Sequence, residues 1–236
     1  MTPNRCWRSR RAELRWCHRR GRPCGTLRPR HMQQPFLEKT MVYVKREQAG
    51  ENREALLGTA SRLFRERGID GVGVAEIARE AGLTHGALYA HFRSKDDLAT
   101  EAFSQGLALS REAFRGEGTG RKRSVSGYLD YLLSPLRRDD PGMSCPMTAS
   151  ASEIGRHGKD ISARFAKGFQ DKAGAFEAVL DEAIPEAERR HLAMTIVAAE
   201  IGAMAVARAV AKSDPSLSDE ILKAVHAVLL KASKGR

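Results

Sequence analysis

Residues 74–98 read VAEIAREAGLTHGALYAHFRSKDDL, and their punctuation decides the fold. Val74, Ile77, Ala78 and Ala81 recur at three- and four-residue intervals, the spacing of one helix face, and Gly82 ends the helix they define. The Thr84 hydroxyl is placed to cap a third short helix that turns Leu88 and Phe92 inward. Two helices of fewer than about ten residues across a tight glycine-containing turn make a helix-turn-helix. Ser94 caps the next helix, with Asp96 and Asp97 in its positive first turn and Leu98, Ala102, Phe103, Leu107 and Phe114 along one side.

Working backwards, Leu56, Leu57, Ala60, Leu63 and Phe64 make residue 51 onward a helix, and Gly68 supplies its left-handed stop. The first three helices therefore predict a DNA-binding domain at 45–98. The exposed start of a recognition helix must be small or hydrogen-bonding to enter the major groove, as Thr84, His85 and Gly86 are. Tyr89 and His91 leave the outer faces of the same helix, where a phenol and an imidazole donate to phosphates. Lys95 adds a cation beside the free N–H groups of the following helix.

This run, Ile-Ala, then Ala-Gly-Leu, then a short helix ending Leu-Tyr-x-His-Phe, then Ser-Lys-x-x-Leu, resembles the DNA-binding signature of the TetR family over residues 51–103. The resemblance implies groove contacts for Thr84 and His85, phosphate contacts for Tyr89 and Lys95, and a dimeric repressor that a small-molecule effector releases from a palindromic operator. One departure is Gly73, where family members often carry a threonine that caps the second helix and meets a phosphate.

Downstream, residues 99–236 predict an all-α effector-binding and dimerisation domain, with no strand-like alternation. Residues 116–123 read as a loop, 125–136 as a helix, and Pro146 as the first turn of a helix to about 155. Ile161, Phe165, Phe169, Ala173, Phe176 and Leu180 trace a stripe spaced 4, 4, 4, 3 and 4. In the helix predicted over 186–212, Leu192, Ile196, Ala199, Ala203, Val206 and Val210 form one apolar face, and Met194, Ala198, Ile201 and Ala205 extend it. A helix apolar on most of its circumference needs neighbours on several sides, so it is expected to form a four-helix bundle with its two-fold mate. The second contributor is a helix over 218–233 carrying Leu222, Val225 and Leu229. Phe103, Leu107, Tyr128, Cys145, Met147, Phe165 and Phe169 are the candidates for an effector pocket. Cys145 reads as a small buried hydrophobe, with electrophile sensing as the alternative.

Charge separates the N-terminus from the rest. Residues 1–40 hold ten Arg and one Lys against Glu13 and Glu38, leaving 29 basic and 27 acidic residues elsewhere, so a net charge of +11 reduces to +2 over the body. Any DNA-binding surface there must be a local patch. Residues 1–44 read as a disordered basic head: it lacks periodicity and contains Pro3, Pro23, Pro29 and Pro35. Two readings stand, a translation start at Met32 or Met41, and a basic arm that touches DNA non-specifically. It has no apolar core of the length secretion needs, although an Arg-rich, acid-poor head also fits a transit peptide. Cys6, Cys17, Cys24 and His31 have zinc-ligand chemistry but not the close spacing, so no metal and no cofactor are expected.

The cysteine pattern points to a reducing compartment, and the resemblance implies the cytoplasm of a bacterium. The longest apolar run, 192–211, is interrupted by Glu200 and Arg208, which argues against a membrane span. No H-E-x-x-H, G-x-S-x-G or phosphate loop occurs. The expected partners are double-stranded operator DNA, a small-molecule effector and a second copy of the chain. A DNA-binding protein without an effector is the competing reading, and a solid C-terminal core would favour it.

Overall fold

A computed structural model describes residues 34–115 and 124–235, and all of the regular structure among them is helical. The loop expected at 116–123, the side chain of Phe114, and Cys6, Cys17 and Cys24 lie outside the described residues, as does most of the basic head. The chain divides into two units, residues 1–43 and 44–236. Of the first, the start of α1 (Gln34–Arg67) is described. The expectation that residues 1–40 lack helical structure is corrected there, since α1 begins at Gln34, with Pro35 in the first turn, where its missing N–H costs nothing.

In the second unit, α1 ends at Gly68, whose φ of +80° is open to glycine at little cost, and the Gly68 N–H donates to Phe64 O at 2.9 Å. A short α2 (Val74–Glu80) and α3 (His85–Tyr89) follow. Gly82 at φ +71° turns the chain between them, and the Leu83 N–H reaches back to Ala78 O at 2.8 Å. Leu56, Ala60 and Leu63 of α1, Ile77 of α2, Leu88 of α3, Phe92 beyond it and Leu98 of α4 (Lys95–Arg115) are all 0–1% exposed. Each of the larger of these side chains contributes roughly 1.5–3 kcal/mol of transfer free energy, so α3 is fixed by the burial of Leu88 and Phe92 rather than by the helix propensity of its five residues. Ion pairs fasten α2 to α1: Arg62 to Glu80 at 2.6 Å and Arg67 to Glu76 at 2.7 Å. The guanidinium of Arg53 lies 5.2 Å from the Phe92 ring centre and also pairs with Glu101 on α4.

Helix α4 runs unbroken past position 98, where a domain boundary was expected. The single helix expected over 125–136 is two, α5 (Val125–Leu132) and α6 (Pro135–Asp139). Ser134, held extended at φ −83° and ψ 147° by the proline after it, breaks the run and caps α6. A 3₁₀ turn at Pro141–Met143 leads to α7 (Pro146–Ile154), and α8 (Lys159–Glu177) carries the predicted stripe. Then come α9 (Glu186–Val210) and α10 (Pro215–Ala232). The last begins three residues before the sequence pattern placed it, because Asp214 accepts the Leu217 N–H at 2.9 Å and Pro215 occupies the first turn.

Helix α9 is the hub, packing on α6, α7, α8 and α10. It is long and apolar enough to cross a membrane, yet Glu200 and Arg208, the charges within its apolar run, are satisfied inside the fold. Glu200, 2% exposed at its side chain, meets the Lys172 ammonium at 2.5 Å. Arg208 donates to Arg137 O at 2.7 Å and to Ser144 Oγ at 2.6 Å. Burial alone would push the Lys172 ammonium down, but its surroundings, the Glu200 carboxylate foremost, hold it above its ordinary value.

Removing one partner of a desolvated pair strands the other. Lys172→Met is therefore expected to cost roughly 3–5 kcal/mol in urea unfolding, and the double change Lys172→Met with Glu200→Leu to recover most of it. Equal losses in the single and double variants would show that the pair is not the source of the effect.

Candidate nucleic-acid interface and cavity

The site at α3 starts with its caps. Thr84 is the N-cap, its Oγ1 accepting the Ala87 N–H at 3.2 Å, so its hydroxyl hydrogen remains available to a ligand. Ser94 Oγ accepts the Asp97 N–H at 3.1 Å, while the Asp97 carboxylate accepts the Arg93 N–H at 3.1 Å, locking the entry to α4. Between these caps Thr84, His85, Gly86 and Tyr89 are exposed, and His91 and Lys95 are half-buried. The His85 and Tyr89 rings meet edge to face with centres 5.1 Å apart, one turn apart on the same solvent face. Of the six residues singled out from the sequence, His85, Gly86 and Tyr89 lie on α3, Thr84 caps it and Lys95 begins α4; His91, expected on the same helix, lies beyond its end in the link to α4. Arg93, exposed beside Ser94, joins them and was missed, although a cation flanking a helix cap is a visible signal. Gly73 is the N-cap of α2 in ordinary extended geometry (φ −86°, ψ 146°), makes no side-chain cap, and a Cβ there would meet nothing within 4 Å.

Helix α7 touches this domain directly. The Glu153 carboxylate accepts the Ile69 N–H at 2.9 Å, just past the end of α1. A Cβ on Gly68 would fall 2.4 Å from that carboxylate, so the position is closed to side chains on two grounds. His157, following α7, places its ring nitrogens 3.5 Å from Asp70 and from Asp96 in the first turn of α4.

A cavity of about 510 Å³ opens between α4 and α8, with walls from α5 and the start of α7. Of the seven pocket candidates, Leu107, Cys145 and Met147 line it. The remaining pocket candidates do not share it. Phe103 is core, its ring stacked on Phe165 with centres 6.0 Å apart, and Tyr128 is core against Phe176. Phe165 and Phe169 border a separate space of about 320 Å³ with Arg190 and Met194. The seven were chosen for bulk and apolarity, which mark core more often than cavity. Lys172 and the other charged wall residues were missed. Glu200 in an otherwise apolar helix was the signal, because a charge there demands a buried partner.

The expected interface on α9 and α10 also needs correction. Ile196, Ala203, Leu222 and Leu229 are 0–6% exposed and belong to the protomer's own core. Leu192, Ala199, Val210 and Val225 are half-buried. Of the expected residues Val206 alone is exposed, and the outward apolar face it belongs to includes Ala198, Gly202 and Ala209 on α9 with Leu217, Ala224 and Val228 on α10.

Comparison with known proteins bears on the same elements. Residues 56–102 match the family model for bacterial regulatory proteins of the tetR family. The HTH-type transcriptional regulator AcrR of Shigella flexneri is 43% identical over 61 residues, 26% of this chain and 28% of that protein. An HTH-type transcriptional regulator of Staphylococcus aureus (strain USA300) is 42% identical over 91 residues, 37% of this chain and 49% of that protein. The chain thus aligns with half or less of the length of these relatives, which are transcriptional regulators rather than enzymes. The fold extends further. A TetR-family regulator from Cytophaga hutchinsonii superposes with a TM-score of 0.65 at 15% identity, covering 78% of this chain and 96% of that one. The reduced form of E. coli NemR does so with 0.60 at 20% identity, covering 76% and 95%. Residues 56–102 thus carry the DNA-binding signature of the tetR family of bacterial regulatory proteins, on an all-helical fold similar to that of TetR-family structures.

Proposed function

We propose that this protein is a dimeric, cytoplasmic transcriptional repressor that reads a palindromic operator through α3 and is released by a small molecule bound between α4 and α8. The observation that carries the reading is the pairing of exposed Thr84, His85 and Tyr89 with Leu88 buried beneath them: the hydrogen-bonding face is presented to a groove while the opposite face is clamped. Helix α4 begins at Lys95 beside that face and carries Leu107 at the cavity wall. The cavity favours an effector-responsive protein over one without an effector. A ligand that prefers one arrangement of α4 shifts the population away from dimers whose recognition helices match half-sites about 34 Å apart or a multiple of it.

A second copy is the occupant of the outward face on α9 and α10. Val206 is 51% and Val228 66% exposed, on neighbouring helices, and the alanines and Gly202 around them allow close approach. Val206→Glu is expected to give a monomer by sedimentation at micromolar concentration and to abolish operator binding while the helical circular dichroism is retained. A dimer that survives this change would exclude the face.

Residues that read bases and residues that hold phosphates separate in a salt-titrated binding series on the operator, selected from DNA flanking the protein's own gene, and on its single-base variants. His85→Ala loses discrimination at particular base pairs by roughly 1–3 kcal/mol. Lys95→Ala weakens operator and random DNA alike and lowers the salt slope by about one ion. Altered base preference in Lys95→Ala with none in His85→Ala would reverse the orientation proposed for α3.

The free space at Gly73 supplies a gain-of-contact test. Gly73→Thr is expected to leave stability within a few tenths of a kcal/mol and to tighten binding to operator and random DNA together. Unchanged affinity for both would place the start of α2 away from the backbone.

A further inference from the structure

We infer that the cavity between α4 and α8 takes an anionic ligand with an apolar body, a monocarboxylate of aliphatic or aromatic character. The inference rests on the reading of that cavity as the effector site and gives the effector its chemistry.

The wall is charged in one sense. Among the described residues lining it, Arg111, Arg164, Lys167 and Lys172 are cations and Asp171 is the acid. Counting Glu200 against its partner Lys172 still leaves a surplus of two positive charges. The cations sit at two depths. Lys172 is inside, 9% exposed and held by Glu200. Arg111 and Lys167 are at the mouth, 52% and 70% exposed, and share the one carboxylate of Asp171. Arg164, one turn before Lys167 on the same face of α8, is exposed and has no acidic partner among the described residues. A carboxylate at the mouth would meet Arg164 and the side of Arg111 and Lys167 that Asp171 leaves open, with the planar guanidinium suited to both of its oxygens.

Below the mouth the wall changes character. Leu107 and Ala108 of α4 face Leu132, Met147 and Ala175. Gly168 lets Leu107 lean in, since a Cβ on it would stand 2.7 Å from Leu107 Cδ1. This arrangement accepts an apolar body beneath a charged head, and about 510 Å³ is within the range of roughly 300–1,000 Å³ that holds small ligands. A cationic amphiphile would bring its charge against Arg164, and a neutral one would gain nothing from the mouth.

The test is calorimetric titration of the full-length protein with decanoate, naphthoate, decanol and decyltrimethylammonium at submillimolar concentration, repeated on Arg164→Gln and Lys167→Gln. Both changes are exposed and outside the core. At least one carboxylate is expected to bind about tenfold or more tighter than decanol, to lose up to about tenfold with each variant, and to leave decanol binding unchanged. The two carboxylates distinguish an aliphatic from an aromatic body. Decanol binding as tightly as the acids, carboxylate binding indifferent to both variants, or no binding by any probe would overturn the inference. A gel shift on the selected operator separates the two levels. Charge-dependent binding without DNA release keeps the anion site and removes the effector reading. Release by decanol as readily as by the acids keeps the effector reading and removes the anion site.

Discussion

Helix α4 has to satisfy two cores with one rigid rod, and the rest of the structure is arranged around that constraint. Its first half buries Leu98, Ala99 and Ala102, the two alanines beside Ser61 and Phe64 of α1. Its second half carries Leu107 and Arg111 to the cavity. A continuous helix fixes the rotation between its two ends at about 100° per residue, so the faces cannot be adjusted independently. Whatever displaces α4 at the cavity must be absorbed at Ser94, at the Glu153 carboxylate under Gly68, or at His157 between Asp70 and Asp96. These are hydrogen bonds and polar contacts to exposed carboxylates rather than interdigitated side chains, and so the cheaper contacts to rearrange.

The fold was legible in the sequence wherever a single residue's local chemistry decides the backbone. Gly68 and Gly82 adopt the left-handed conformation read from their positions, and Thr84 and Ser94 cap the helices assigned to them. The exposure of Thr84, His85 and Tyr89 was legible for the same reason, since a five-residue helix with Leu88 and Phe92 inward leaves little choice about what faces out. Where the outcome depends on which neighbour covers which face, the pattern was insufficient. Helix α9 is apolar nearly all round, and periodicity cannot say that Ile196 and Ala203 are buried while Val206 is left outside. Cavities are harder still, because they occur where packing fails to close, and nothing in a stripe of phenylalanines records that failure. The Ser134–Pro135 break was readable from the proline alone, and the apolar residues on both sides concealed it.

The charges inside α9 show how the chain reconciles an apolar hub with a polar cavity. Glu200 neutralises Lys172 at the cavity floor, so a cation can stand in a site that would otherwise expel it. The cost is specificity in sequence: a neighbour on α8 and another on α9 must change together or not at all.

Arg208 has a different consequence. Helix α6 is five residues long, far below the length at which a helix persists in water, and its last carbonyls are met by a guanidinium more than sixty positions away. The segment between Ser134 and Ser144 therefore has no shape of its own to contribute early in folding. It acquires one when α9 docks and loses it when α9 lifts, so the two stretches share a single opening event and one free energy of local unfolding.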